Sequence, residues 1–520
     1  MNLQELQEHW DLIVIGGGIT GAGVFRESVR MGLQVLLLEQ RDFAEGTSSR
    51  SSKLIHGGLR YLREGQLGLT RASVKEREYL LKEAGGLVEP LEFLLPIYQN
   101  HGPGKWTIEA GLSLYDLIAH KRQHHYFKKR EFIELAPHLD RSGLVGGFRF
   151  VDAQVDDARL VLRLINDAMD AGGQALNYTA VNEILRDHRG HVAGVVARDT
   201  EAGTSRRFFA RAVINATGTW AEKLHPSPIP NLHIRPLRGS HLILPFRSLP
   251  LSRAISLFHP RDNRGVFAAP WEGVVIFGTT DVDHGEDLSK EPSITREEVD
   301  YLLEGIRAFF PAMKITEDQC LATMAGVRPV LSRGNSAPSQ ESREHVVWVD
   351  NGMVTVTGGK LTTFRMLAWD TLKAARPYLP DVQIPNHDDP VFSPSPPPVE
   401  NRFGLPETIL HRVVGRYGDK AADLFNEALP EDLYLIPGTH ILWAELPFLA
   451  RREHVRHLTD LLLRRVRIGL LTPNGGLGYM DRIRRCCEPH FNWDTSRWNQ
   501  EIERYREHWN HALAPPKPSA

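Results

Sequence analysis

Residues 11 to 39 constrain this chain more than any other stretch. Asp11-Leu-Ile-Val-Ile15 is an apolar run without polar alternation; Gly16-Gly-Gly18-Ile-Thr-Gly21 follows, then a helical stretch to about Gly32, then Gln34-Val-Leu-Leu-Leu-Glu39. Strand, glycine turn, helix and strand in that order describe a parallel sheet with helices over both faces, since strands buried on both sides have no solvent face to mark with polar residues. Glycines at 16, 18 and 21 let the backbone turn tightly, approach a pyrophosphate and pack helix on strand, while the helix N-terminus favours negative charge. Glu39, at the end of the second strand, is positioned to accept a hydrogen bond from a ribose hydroxyl. An acid there favours FAD or NAD over NADP, whose extra phosphate it repels.

The 520 residues exceed what one core organises, so two or three domains are expected. A helical region runs from about Gln66 to Gly85-Gly86. Asp156 and Asp157 open another helix, with Leu162, Ile165 and Met169 on one face and Gly172-Gly173 as its stop. From Ile234 to Val330 alternating strands dominate, interrupted by a helix near 296 to 309 whose Thr295 and Glu298 have capping-box spacing. The predicted fold is multidomain α/β (α+β). A Rossmann-like dinucleotide-binding domain within 1–383 is interleaved with an antiparallel-sheet substrate domain drawn from roughly 85–150 and 234–330. Prolines 385, 390, 394 and 396 to 398 mark 384–400 as a linker. Residues 401–513 read as a helical C-terminal domain, and 514–520 as a disordered tail.

Sixty-two basic against 64 acidic residues give a net charge of -2, which offers nucleic acid no whole-chain attraction. Three cysteines, Cys320, Cys486 and Cys487, build no disulfide framework and fit a reducing cytosol. No apolar run reaches the length of a spanning helix, and with an acidic start no signal peptide is expected. No metal site is expected: His454-x-x-His457 and His508-x-x-His511 lack further ligands.

The segment Thr47-Ser-Ser49-Arg-Ser-Ser-Lys53-Leu-Ile-His56-Gly-Gly58-Leu-Arg60-Tyr61 resembles the flavin-contacting segment of the FAD-dependent, aerobic glycerol-3-phosphate dehydrogenases, in the D-amino-acid-oxidase-like superfamily. Six further blocks resemble that family in the same order. They begin at Val155-Asp-Asp-Ala-Arg, Asn215-Ala-Thr-Gly218, Gly239-Ser-His241, Gly278-Thr-Thr-Asp281, Gly326-Val-Arg-Pro329 and Gly358-Gly-Lys-Leu-Thr. The likeness covers roughly residues 10 to 375 and is looser in the C-terminal part.

The resemblance implies FAD, held by Gly16, Gly18, Gly21, Glu39, Thr47, Ser48, Ser49, Lys53, His56, Gly57, Val181, Ala216, Thr217, Gly218, Gly359, Lys360, Leu361 and Thr362. It implies glycerol 3-phosphate as substrate, met by Arg60, Tyr61, Thr279, Thr280, Asp281, Arg328 and Lys360. Arg328 and Lys360 stand apart from any run of surface charge and suit a phosphate monoester. His241, at a strand start, is the expected general base with His56 as its rival, and Arg328 assists them. The implied reaction carries the C2 hydride to flavin N5 and the electrons on to quinone. Alternatives are an oxygen-using glycerol-3-phosphate oxidase, an amine or amino-acid oxidase, or a flavin protein without turnover; a homo-oligomer stays open.

Quinone lives in the bilayer, so a cytoplasmic protein without a spanning helix has to meet it at the membrane's inner face. Nine arginines between 449 and 485, with Val455, Leu458, Leu462 and Val466 at helical spacing, and the basic run 120 to 130, are the expected surfaces for peripheral attachment.

Overall fold

The computed structural model describes residues 3–59, 65–225, 233–332, 345–383, 385–386, 388–393, 401 and 404–516. Arg60 and Tyr61 lie outside the described residues, as do 394–400 of the expected linker and 517–520 of the tail.

Among the described residues the first sheet has eight strands. Its parallel part is β1 (His9–Ile15), β2 (Val35–Leu38), β7 (Gln174–Leu176), β10 (Ser205–Asn215) and β18 (Met353–Gly358), in the order β18-β10-β1-β2-β7. Leu12, Val14, Leu37, Ile214 and Val354 face the helices Ile19–Arg30, Asp157–Asp170 and Phe364–Ala375. Their alternates Ile13, Ile15, Leu36, Leu38 and Val213 face the antiparallel hairpin β8 (Thr179–Arg186) and β9 (Val192–Asp199), with Leu3 and Leu6 beside it. The expectation of helices on both faces is corrected here. Both faces are buried, which is all the apolar run encodes, and a hairpin buries one of them as well as a helix does.

The second sheet has ten strands among the described residues, mostly antiparallel. Its body is β4 (Val88–Tyr98) and β6 (Leu144–Val155), then β11 (Ile234–Pro245), β12 (Ala254–Phe258), β13 (Gly265–Trp271), β14 (Val274–Gly278) and β16 (Ala322–Leu331). The helix Arg296–Phe309 covers it, and Thr295 and Glu298 form the expected capping box. Asp156 caps Asp157–Asp170 by accepting from the Arg159 amide at 3.3 Å.

Residues 404–513 are mostly helical and share a core with Ile243, Trp271, Ile276 and Met324 of the second sheet. Val391 and Phe392, within the stretch expected as a linker, are buried against the first sheet's helices. At the expected tail, the Thr323 amide donates to the Leu513 carbonyl at 2.6 Å and Ala514 packs on the helical core.

The cationic face expected between 449 and 485 is not there. Arg464, Arg465 and Arg467 are buried and ion-paired with Asp42, Asp156 and Asp157 of the first domain. Arg451, Arg452, Arg456, Arg482 and Arg484 each pair with an acid, among them Glu427, Glu201, Asp432 and Glu488. Leu458, Leu462 and Val466 are fully buried. The acids that neutralise this run come mostly from elsewhere in the chain, so the sequence window shows an excess charge that the fold cancels.

Candidate functional site

A cavity of about 1020 Å³ lies between the two sheets, at the carboxyl ends of β1, β2, β10 and β18. Ligands of open parallel sheets bind at such strand ends, where loops are free to specialise. Gly16 sits there with φ +107°, and a Cβ on it would stand 2.6 Å from the Ala216 carbonyl oxygen. A Cβ on Gly21 would fall 1.8 Å from the Gly16 oxygen, so helix and turn approach only with glycine. Gly18 precedes the helix Ile19–Arg30, whose first turn carries no acid and no side-chain cap. The Ile19 amide donates to Ser48 Oγ at 2.9 Å.

Of the sequence-predicted flavin set, the cavity wall includes Gly16, Gly18, Glu39, Thr47, Ser48, His56, Val181, Ala216, Thr217, Gly218, Gly359, Lys360, Leu361 and Thr362. Gly21, Ser49, Lys53 and Gly57 are not on it. Lys53 is buried, its Nζ 2.8 Å from both Asp157 oxygens and donating to the Ser49 carbonyl at 2.6 Å. Burial pulls its pKa down to about 8. Gly57 lies behind His56, where a Cβ would meet Tyr115 Oη at 2.2 Å.

Glu39 takes the Gly17 amide on Oε2 at 2.7 Å and the Arg41 amide on Oε1 at 2.9 Å. Burial nevertheless raises its pKa to about 7.

Elsewhere on the wall stand Arg328, Thr279, His56 and Lys360. Arg328 donates from Nη1 to Asp281 Oδ1 at 3.1 Å and from Nη2 to Thr279 Oγ1 at 3.2 Å. A Cβ on Gly239 would stand 2.2 Å from Arg328 Nη2, so glycine there makes room for the guanidinium. Lys360 Nζ is 3.3 Å from Ser73 Oγ.

Thr280 and Asp281 do not face the cavity. Thr280 accepts from the Ser240 amide and donates to Glu298, and Asp281 serves Arg328 from behind. His241 is also withdrawn: it is 1% exposed, off the wall, and reaches it through Ser52, whose Oγ lies 2.9 Å from Nε2. Burial, then Arg328 and Lys53, hold its imidazole well below the usual pKa.

Three features carried no signal in the sequence. Ser52 joins the wall to His241. Asp152 Oδ1 accepts from the Gly57 amide at 3.1 Å, Tyr115 Oη at 2.6 Å and Arg77 Nη1 at 2.6 Å, fixing the backbone beside His56. The loop from Leu288 to Pro292 borders the cavity, anchored by Arg41 on the Ser289 carbonyl at 2.7 Å and by an Arg50–Glu291 ion pair. These partners are separated by tens to hundreds of residues, so no local spacing joins them. Among the described residues no group of three or more His, Cys, Asp or Glu side chains is arranged to hold a metal ion.

Residues 11–365 match the model of the FAD dependent oxidoreductase family, and 396–498 that of the C-terminal domain of alpha-glycerophosphate oxidase. An aerobic glycerol-3-phosphate dehydrogenase of Staphylococcus aureus is 31% identical over 484 residues, covering 88% of this chain and 86% of that protein. The chain belongs to the FAD-dependent glycerol-3-phosphate dehydrogenase family. A solved member from Bacillus halodurans, in complex with FAD, superposes with a TM-score of 0.76 at 26% identity, over 99% of this chain and 97% of that one. The L-alpha-glycerophosphate oxidase of Mycoplasma pneumoniae shares the fold at 19% identity, with a TM-score of 0.58 over 74% and 98% of the two chains.

The cavity fits the family's cofactor. Gly16, Gly18 and Gly218 leave bare backbone for a pyrophosphate, and Glu39 keeps acceptor capacity beyond its two amides for ribose hydroxyls. Ribose hydroxyls favour the ionised carboxylate, so binding FAD lowers the Glu39 pKa and releases a proton. FAD affinity is therefore expected to rise as pH increases from about 5.5 to 7.5, and calorimetry in buffers of different ionisation enthalpy reads the proton release directly. Glu39→Gln abolishes this pH dependence and weakens binding roughly tenfold, the worth of a charge-assisted bond. Affinity falling over that range would contradict the assignment.

Proposed function

We propose that this enzyme oxidises sn-glycerol 3-phosphate to dihydroxyacetone phosphate and delivers the electrons to a quinone. The observation that carries the substrate is that Arg328, Lys360 and His56 line the same cavity as Gly359 to Thr362, the residues expected at the flavin. A phosphate monoester carries about -1.5 to -2 charges, which the Arg328 fork and the Lys360 point charge neutralise together. Asp281 and Thr279 hold the guanidinium from behind, so its direction is fixed before substrate arrives.

Loss of the C2 hydroxyl proton and of the C2 hydride together convert the alcohol to the ketone. Bound FAD supplies the two-electron acceptor for that hydride at N5. His56, on the wall with its backbone fixed through Gly57 and Asp152, takes the proton. His241 supports the site through Ser52 instead. Arg328 also faces the oxygen that gains negative charge as the proton leaves. Anaerobic mixing with glycerol 3-phosphate tests the reading: flavin absorbance near 450 nm falls within one turnover and dihydroxyacetone phosphate accumulates one for one. Bleaching by amino acids but not by glycerol 3-phosphate would replace it with an amino-acid oxidase.

The quinone reading is supported by the apolar side of the same cavity, where Phe93, Phe150, Phe258 and Phe267 meet Ile108, Gly111 and Leu114 of the helix Lys105–Ala119. The outer face of that helix exposes Trp106 (78%) and Leu117 (69%), and Arg122, Lys128, Lys129 and Arg130 are exposed nearby. An amphipathic helix beside cations lies in the headgroup region of an anionic leaflet, each cation contributing about 1 kcal/mol at most. This surface takes over the role expected of 449–485. Among the described residues no helix is long and apolar enough to cross a membrane. The protein is expected to sediment with anionic vesicles at low salt and to reduce a ubiquinone analogue faster than oxygen. The double variant Trp106→Ser, Leu117→Ser weakens sedimentation roughly tenfold without changing glycerol 3-phosphate oxidation by a water-soluble dye. Failure to bind vesicles, with stoichiometric hydrogen peroxide in air, would indicate an oxygen-using oxidase.

A further inference from the structure

The wall segment Ser48 to Ser52 has its back to a buried ionic cluster that the reaction does not use. Ser48, Ser51 and Ser52 face the cavity. Behind them, Asp157 Oδ2 accepts from both the Ser51 amide at 2.9 Å and the Ser51 hydroxyl at 2.7 Å. Lys53 Nζ ties the same carboxylate to the Ser49 carbonyl. Three residues of one loop thus hang on one carboxylate.

That carboxylate is in turn held from the C-terminal domain. Arg467 donates to Asp156 Oδ1 from Nε at 3.0 Å and Nη2 at 2.8 Å, and from Nη2 to Asp157; its Nη1 lies 3.5 Å from the Ser49 carbonyl. Arg467, Lys53, Asp156 and Asp157 are all buried. Arg467 follows a π-helical turn, Leu461–Arg465, and its Nη1 is anchored on the Leu463 carbonyl at 2.7 Å. Such turns interrupt regular helix and recur where a side chain has to be aimed. The two preceding arginines, Arg464 and Arg465, grip Asp42 of the first domain, a few residues beyond Glu39.

We propose that Arg467 is a positioning residue for the cofactor: through Asp157 and Lys53 it holds Ser48 to Ser52 in the shape that retains FAD, so the C-terminal domain controls FAD retention rather than touching substrate. Two buried acids at the start of one helix repel each other, and one planar fork spanning both is the geometry a guanidinium supplies and an ammonium does not. With the fork absent, Lys53 alone holds Asp157, and the acceptor of Ser51 is less firmly fixed. The inference rests on FAD binding in this cavity and is independent of which substrate is oxidised.

A matched pair of variants tests it on the full-length holoenzyme. Arg467→Lys keeps the charge and removes the fork. Arg159→Lys does the same to another buried inter-domain pair, Arg159 with Glu453, which contacts no residue of 48–53. FAD release is followed by the rise of free-flavin fluorescence after dilution, alongside the flavin visible spectrum and the melting temperature. Arg467→Lys is expected to release FAD about tenfold faster and to shift the visible spectrum, as expected for a lost charge-assisted contact. Arg159→Lys lowers the melting temperature but releases FAD at the wild-type rate. Lys53→Met, which cuts the relay without altering the cavity wall, behaves like Arg467→Lys and carries the test should that variant not fold. Wild-type release in Arg467→Lys and Lys53→Met, or equal acceleration in Arg159→Lys, would overturn the proposal; the latter would make any loosening of the domains sufficient.

Discussion

Replacing His56 by Asn lowers kcat for glycerol 3-phosphate by about 10²- to 10⁴-fold, the range lost with a positioned general base. The amide keeps hydrogen-bonding capacity and similar bulk, and Gly57, Asp152, Tyr115 and Arg77 still hold the backbone, so FAD content stays at one per chain. Stopped-flow reduction of the flavin under anaerobic conditions isolates the step. The pH dependence of kcat/KM flattens in the variant because the group that must be free to take a proton is gone. His241→Asn gives the contrast. An imidazole held off the wall behind Ser52 reaches substrate only through that hydroxyl, so its loss costs far less and leaves the pH profile in place. If His241→Asn flattened the profile while His56→Asn kept it, the two roles would exchange.

Arg328→Met lowers kcat/KM for glycerol 3-phosphate by about ten- to hundredfold, corresponding to the 1.5 to 3 kcal/mol of a hydrogen bond to a charged group. Methionine fills the stem's space but offers neither charge nor fork, and it removes the cationic partner of the buried Asp281 carboxylate. Arg328→Lys restores part of the loss, since a point charge binds phosphate without the two-pronged geometry. Steady-state kinetics, with FAD content read from the visible spectrum, separate loss of substrate binding from loss of cofactor. Unchanged kcat/KM in Arg328→Met would reduce the residue to a brace for Thr279 and Asp281.

The dinucleotide half of the site was legible in the sequence because its information is local. The spacing of Gly16, Gly18, Gly21 and Glu39 is set by one turn, one helix and one strand, and steric exclusion of Cβ atoms at 16 and 21 leaves glycine as the residue that fits. The capping box at Thr295 and the cap at Asp156 were readable for the same reason: each is a contact over three residues. Arg328, Lys360 and His56, each within a family motif, all line the cavity.

What only the tertiary structure decided is which polar side chains face the cavity and which face each other. Lys53, Thr280, Asp281 and His241 stand in the same motifs as wall residues, yet each points into the protein. Which side each backbone turn presents to the cavity is set by the fold, and a buried charge then requires a partner from another part of the chain. The arginines of 449–485 show the same limit at larger scale. The sequence by itself determined that they are many and close together. Whether they form a cationic face or a buried clasp depended on Asp42, Asp156 and Asp157, hundreds of residues away, because ion pairing is fixed by distance in space and not by distance along the chain.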